Sequence, residues 1–317
     1  MAFNAEKFIL SAEKGICAIV GKEKALIALS GGVDSFVSAT LCAKAGVSLS
    51  AVFVDTGMMR KDEARKVKSA ADEAGVSLKV VDAKEKFLSA LKGVEDPEKK
   101  RKVIGEMFIR VFENEAKLSG ASFLVQGTIA PDWIESGGHG RDTIKSHHNV
   151  GGLPKDMGLK LCEPLRELYK HEVRMVGKAL GLPNYVYNRQ PFPGPGLAVR
   201  VVGEISGEKL EIVREACDIV ETEIDKASES GKMEKPWQYF AALLPTKTVG
   251  VKGDERSYKY TIIVRAVKSL DGMTSNFSHI PPEVLQAIST RITNEIGEVG
   301  RVAYDITNKP PSTIELE

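Results

Sequence analysis

Residues 25–36 read ALIALSGGVDSF, and this stretch decides the fold. Ala25 to Ser30 is an apolar run of strand length, Gly31 and Gly32 turn the chain, and a helical pattern follows directly. The alternation continues: SLSAVFV (Ser48 to Val54), SLKVVD (Ser77 to Asp82) and SFLVQG (Ser122 to Gly127) read as further strands with helices between them. Such a pattern predicts a mostly parallel sheet with helices on its faces. The clearest helix spans about Asp96 to Ser119: Asp96 is a good N-cap, Pro97 suits the first helical position, and Gly120 ends it. Val103, Met107 and Val111, with Ile104, Phe108 and Phe112, recur every three or four residues and predict one buried stripe.

From Thr128 to about Leu161 the periodicity dissolves into Gly, Pro, Asp, Ser and His, a length that points to function or disorder. A helix is expected over Leu165 to Leu180, closed by Gly181 and Pro183. QPFPGPG (Gln190 to Gly196) holds three prolines and two glycines, too broken for helix or sheet, and reads as a domain boundary. Beyond it a charged helix (206–230), strands (247–251 and 258–267) and a helix (281–296) predict a smaller α+β domain. The fold class is therefore α/β, with domains over 1–189 and 190–317.

The 317 residues carry 44 basic and 43 acidic side chains, a formal charge of +1 that argues against a dedicated nucleic-acid binder. At 43% hydrophobic and 27% charged, the composition is that of a globular protein. No apolar run reaches the ~18 residues a membrane span needs. The N-terminus MAFNAEKFILSAEK has acidic residues on both sides of its apolar patch, unlike a secretory signal, so a cytoplasmic location is expected. Cys17, Cys42, Cys162 and Cys217 show no metal-ligand or disulfide spacing and read as small buried apolar groups.

The chemistry concentrates in SGGVDS: Ser30, Gly31, Gly32, Val33, Asp34 and Ser35. A Gly-rich turn between strand and helix aims backbone N–H groups and the positive end of the helix dipole at one point, which suits a phosphate. Asp34 would repel a polyphosphate unless a divalent cation lay between them, which suggests Mg²⁺ bound by Asp34. The alternative is a tight strand-to-helix turn with Asp34 as a first-turn dipole partner. Two commoner nucleotide signatures are missing: Gly15 to Glu23 departs from a Walker A loop, and the GxG at Gly194 to Gly196 follows prolines and has no third glycine.

SGGVDS after a first strand resembles the pyrophosphate loop of N-type ATP pyrophosphatases, whose adenine-nucleotide alpha-hydrolase-like fold it implies. The resemblance narrows through VDTGMMR (Val54 to Arg60), QGTIAPDWIES (Gln126 to Ser136), DTIKSHHNVGGLP (Asp142 to Pro154), RQPFPGPGLAVRV (Arg189 to Val201), GDERSY (Gly253 to Tyr258), DGMTSNF (Asp271 to Phe277) and YDITNKPPSTIE (Tyr304 to Glu315). Together these are similar to the synthetase part of the GMP synthase family.

That resemblance implies adenylation of the C2 oxygen of XMP by ATP, followed by amination with ammonia. It implies that Val54 and Gly127 complete the ATP site begun by the 30–35 loop. Lys145, Asp132 and Glu135 become catalytic residues of a lid over 128–161. Arg60, Gln238, Arg301, Lys309, Ile314 and Glu315 become XMP contacts. His147 and His148, being adjacent, face opposite ways on an extended chain and read as hydrogen-bonding lid residues, not a metal pair. The chain ends IELE where the family has IEWE, and Gly300 stands where Asn is common, which bears on how the tail packs. No cysteine sits on a glutaminase-type elbow, so ammonia is expected from a separate polypeptide, the glutaminase component of GMP synthase. The second domain resembles a dimerisation domain and implies a homodimer. The competing classes are a tRNA-modifying pyrophosphate-loop enzyme, which the charge and cysteines disfavour, and a purine-nucleotide-sensing module without chemistry.

Overall fold

The structure is a computed structural model. It describes residues 3–135, 158–252, 255–270 and 272–317. Lys145, His147 and His148 lie outside them, as does the side chain of Glu135. The chain divides into two compact units: Met1–Thr56, Asp62–Ala83 and Gly105–Arg189 form the first, and Gly57–Lys61, Lys84–Ile104 and Gln190–Glu317 the second.

The first unit is built on five parallel strands: β1 (Lys24–Ala28), β2 (Ser48–Asp55), β3 (Leu78–Asp82), β4 (Phe123–Val125) and β5 (Lys160–Cys162), in the order β3-β2-β1-β4-β5. Ala25, Leu26 and Ile27 are all buried, the pattern of a strand covered on both faces. The chain steps outward from β1 to β2 and β3, then returns to β4 on the other side. The crevice between the carboxyl ends of β1 and β4 is thus the topological switch point, where open α/β sheets bind ligands.

Helices α1 (Ala5–Val20), α2 (Val33–Lys44) and α3 (Glu63–Glu73) pack around this sheet. Helix α1 has no counterpart in the sequence reading. Asn4 caps it by accepting from the Lys7 N–H at 2.9 Å, and Ile9, Ile16 and Val20 are its buried face. After α4 (Lys84–Leu91), helix α5 (Pro97–Ser119) starts and stops as expected. The Asp96 carboxylate accepts from the Lys99 N–H at 2.8 Å, and Gly120 takes a φ of +63°. Ile104, Val111 and Phe112 are its buried stripe, whereas Val103, Met107 and Phe108 are half-buried.

Strand β5 overlaps the end of the stretch read as irregular. The short helix α6 (Ala130–Glu135) precedes it, and α7 (Lys170–Ala179) and α8 (Asn184–Tyr187) follow. The helix expected from Leu165 begins five residues late, because Leu165 and Leu168 are buried in a turn and the Glu172 carboxylate accepts the Tyr169 N–H at 2.8 Å to fix the start. Cys42, Cys162 and Cys217 are buried as expected; Cys17 is exposed, with its Sγ donating to the Ala45 carbonyl at 3.0 Å. Burial pushes the Cys42 thiol up to about 12, which keeps it protonated.

The second unit pairs β6 (Gln238–Lys252) and β7 (Glu255–Lys268) in a long antiparallel hairpin. Strands β8 (Asn276–Phe277) and β9 (Val299–Tyr304) lie along β7, the latter in parallel. Helix α9 (Gly207–Glu229) packs on β6, and α10 (Pro282–Glu295) packs on α9 and β9. Strand β6 starts nine residues before the expected strand. Pro245, which cannot donate to a ladder, marks a register break between Leu244 and Lys247 and splits the run in two.

Candidate active site

The loop from Ser30 to Gly32 joins β1 to α2 and leaves the first N–H groups of the helix without intrahelical acceptors, as in any first turn. Gly31 adopts a φ of +82°, whereas Gly32 is extended at −81° and serves as the N-cap without a side chain of its own. Ser35 ties the loop together: its Oγ donates to the Gly32 carbonyl at 2.9 Å, accepts from the Ser30 N–H at 3.3 Å and lies 3.3 Å from the Ser30 Oγ. A strand-to-helix turn of this form suits an anion.

Its second wall comes from β4. A Cβ on Gly127 would lie 2.9 Å from the Asp34 carbonyl carbon and 3.0 Å from the Asp34 Cβ, so glycine is what lets the end of β4 approach the first turn of α2. Asp34 is therefore held at the switch point. Its Oδ2 pairs with the Lys170 Nζ at 2.5 Å, while its Oδ1 is buried with no hydrogen-bond partner among the described residues. A buried carboxylate oxygen without a donor is a hard-cation ligand waiting for a partner, and the residues present fit a divalent ion. No cluster of three or more His, Cys, Asp or Glu side chains is found among the described residues.

Beneath the loop lies an ion pair. Glu63, 4% exposed at the start of α3, takes both arms of Arg189: Nη1 donates to Oε1 at 2.6 Å and Nη2 to Oε2, and Nη1 also reaches the Gly31 carbonyl at 3.2 Å. The fork holds the loop at Gly31 from one side. Val54 is buried at the carboxyl end of β2. The Asp132 carboxylate accepts the Ile129 N–H at 3.0 Å at the start of α6.

The six residues expected to contact XMP all fall in the second unit, including Arg60, which lies before the expected boundary at 189. Arg60 is 9% exposed. Its Nε meets Glu221 at 3.3 Å, its Nη2 donates to the carbonyls of Gln190 (3.2 Å) and Pro191 (3.3 Å), and its guanidinium lies 4.2 Å from the centre of the Phe192 ring. The Arg214 guanidinium anchors the preceding backbone through the carbonyls of Gly57 (2.5 Å) and Met59 (3.1 Å). Gln238 and Glu315 are brought together, with Nε2 donating to Oε1 at 2.7 Å. Arg301 is exposed and its Nε reaches the Thr248 Oγ1 at 3.3 Å; the Lys309 Nζ donates to the Gly272 carbonyl at 2.8 Å.

The C-terminal segment is docked, not free. The buried Arg265 on β7 grips the carbonyls of Thr307, Thr313 and Ile314. The buried Arg200 forks onto Glu315, and Glu317 pairs with the buried Lys100 while accepting the Gly203 N–H at 2.8 Å. Burial pushes the Lys100 pKa down, and the Glu317 carboxylate works against that shift. Leu316 in place of the usual Trp has therefore not cost the tail its anchors.

Two family models match the chain: "GMP synthase C terminal domain" over residues 225–316 and "Thiamine biosynthesis protein (ThiI)" over residues 20–130. The B subunit of glutamine-hydrolyzing GMP synthase from Pyrococcus abyssi is 61% identical over 316 residues, covering 99% of this chain and 100% of that protein. The chain belongs to the GMP synthase family. GMP synthase (glutamine-hydrolyzing) of Clostridium botulinum (strain Kyoto / Type A2) is 58% identical over 312 residues, which make up 96% of this chain but 61% of that longer protein. Among solved structures, the NMN synthetase of Francisella tularensis is similar at 16% identity and a TM-score of 0.49, over 66% of this chain and 85% of that one.

In this member of the GMP synthase family, four charged groups escape the sequence reading: Glu63, Lys100, Arg200 and Arg265. Each is nearly or wholly buried. A lone charge inside an apolar run such as LAVRV (Leu197 to Val201) or IIVRAV (Ile262 to Val267) is the signal that could have found two of them, because a buried guanidinium has to be paired.

Proposed function

We propose that this ligase makes GMP from XMP, ATP and ammonia. The observation that carries the proposal is the Gly-rich turn at the switch point, with the unpartnered Asp34 oxygen on its rim. The XMP C2 oxygen attacks the ATP α-phosphorus; the new O–P bond forms as the α–β bridge breaks, and pyrophosphate departs into the loop formed by Ser30 to Ser35. Ammonia then forms the C2–N bond and AMP leaves with the C2 oxygen. A purine carbonyl oxygen is a poor leaving group, and adenylation makes it a good one.

The catalytic demand is to neutralise charge that grows on the phosphates, which fixed N–H donors meet without reorganising. Mg²⁺ bound by Asp34 supplies further neutralisation when present. Lys145 stabilises the charge of the adenylation transition state, and Asp132 and Glu135 help hold the nucleotide and the metal. The first unit activates ATP and the second, which takes in Gly57–Lys61 and Lys84–Ile104 beside Gln190–Glu317, receives XMP, with Arg60, Gln238, Arg301, Lys309, Ile314 and Glu315 as nucleotide contacts. Ammonia comes from a separate glutaminase polypeptide. Two observations support this: the full-length P. abyssi relative is named as one subunit of a glutamine-hydrolyzing enzyme, and the longer C. botulinum protein is itself named for glutamine hydrolysis.

Purified chain given XMP, ATP and ammonia should release AMP, pyrophosphate and GMP in equal amounts. IMP or deamido-NAD in place of XMP should release none, and glutamine in place of ammonia should support no turnover. AMP release independent of XMP would overturn the substrate assignment, and intrinsic glutaminase activity would overturn the separate partner. Lys145→Ala should lose pyrophosphate release with XMP affinity retained; weaker XMP binding at unchanged turnover would reassign it. The enzyme acts as a cytoplasmic homodimer, so sedimentation at micromolar concentration should give twice the 34.4 kDa chain mass, and a monomer there would refute it.

A further inference from the structure

Arg200 closes the short 3₁₀ turn Gly196–Arg200 and is fully buried. Its Nε donates to the Glu315 Oε2 at 3.1 Å and its Nη2 to Oε1 at 3.0 Å, the parallel fork that a guanidinium makes and an ammonium cannot. The remaining nitrogen, Nη1, lies 3.6 Å from the Cys217 Sγ. Its faces are covered too, with the Phe240 ring centre at 4.2 Å and that of Phe192 at 5.1 Å. Phe192 is the same ring that the Arg60 guanidinium approaches at 4.2 Å. Burial alone would disfavour the Arg200 charge, but Glu315, together with Cys217 and Glu221, outweighs it and holds the group ionised.

All three nitrogens of Arg200 have partners, so it is not itself offered to a substrate. Glu315 differs. A carboxylate has roughly four acceptor positions. Arg200 and Gln238 occupy three, and the side chain is still 15% exposed. An acceptor so close to a chain end would ordinarily sample many orientations and pay to order on binding. Here the fork removes that freedom in advance.

We propose that Arg200 is a positioning residue for the XMP site: it fixes Glu315 directly, and Arg60 through the Phe192 ring, in the arrangement that receives the nucleotide. The proposal rests on the reading that Glu315 and Arg60 contact XMP. Arg200→Lys keeps the charge and loses the fork, and should raise the KM for XMP at least tenfold while leaving the KM for ATP within twofold. Because Arg200 acts through Glu315, the double variant Arg200→Lys with Glu315→Gln should be no worse than the poorer single variant.

Multiplying effects in the double variant, or an unchanged KM for XMP in folded Arg200→Lys, would overturn the positioning role alone. An unchanged KM for XMP in Glu315→Gln would overturn the contact reading, and the proposal with it. Should Arg200→Lys not fold, Phe240→Leu removes one supporting face and leaves the fork's chemistry in place. A selective rise in the KM for XMP in that variant supports the proposal, and none refutes it.

Discussion

Gly31→Ala is expected to abolish ATP-dependent turnover, with a fall in kcat/KM of at least about 100-fold, on the scale of losing one preorganised oxyanion donor. Two costs act together. The φ of +82° is open to glycine and strained for alanine by about 1–2 kcal/mol. The new Cβ would lie 2.5 Å from the Glu63 Oε1, 3.2 Å from the Arg189 Nη1 and 3.3 Å from a Val67 methyl. Either the loop moves away from its buried ion pair or the pair opens, and uncoupling a buried charge from its partner costs roughly 3–5 kcal/mol. Moving the loop is the cheaper response, so the phosphate-facing N–H groups lose their aim while the protein still folds. Gly32→Ala is the control. Gly32 is extended, and its added Cβ would find only the Ser30 Oγ, at 3.4 Å. It should keep the parent melting temperature, so any lost activity there reports how closely the phosphates approach the backbone. Parent-like activity in Gly31→Ala would show that the ion pair does not set the loop.

The contrast between these two glycines shows what the sequence could and could not reveal. The loop itself was legible because everything that makes it lies within a short span: an apolar strand, two glycines, and a helix whose first turn has open donors. Helix α5 was legible for the same reason, with its cap, first-turn proline and terminal glycine all local. What distinguishes Gly31 from Gly32 is the Glu63–Arg189 pair, whose members are 126 residues apart and carry no local signal. The same holds for Arg200 and Glu315, separated by 115 residues. The role of Gly127 came from resemblance to a family; its physical reason, the close pass of β4 over Asp34, needs three dimensions. Strand β6 was half missed because Pro245 interrupts its pattern without ending it, and α7 was begun too early because buried leucines at 165 and 168 continue a helical period through a turn. Local chemistry was thus readable, and the long-range pairs that hold it in place were not.

Arg265→Met tests the largest of those long-range devices. Arg265 is fully buried and makes five hydrogen bonds to the C-terminal segment: to the carbonyls of Ile314 (2.8 Å), Thr307 (2.9 Å) and Thr313 (2.9 Å), to the Asp305 Oδ2 (2.7 Å) and to the Ser312 Oγ (3.0 Å). Methionine fills much of the volume but offers no donor. If the tail stayed in place, three carbonyls and a carboxylate would lose their partner, at roughly 1–3 kcal/mol each and more for the charge. That sum exceeds what the tail gains by docking, so it should leave and rehydrate. The loss is then capped near the value for breaking a buried pair, about 3–5 kcal/mol. At roughly 2–4 °C per kcal/mol for a domain of this size, the melting transition should fall by roughly 6–20 °C. Amide exchange should accelerate from Asp305 to Glu317, and the KM for XMP should rise with Lys309 and Glu315 no longer held, while the KM for ATP stays within twofold. Arg265→Lys, with a charge but no fork, should recover part of the stability and less of the XMP affinity. Unchanged exchange protection over 305–317 in Arg265→Met would mean that Arg200 and Lys100 suffice to dock the tail, and that Arg265 serves the sheet instead.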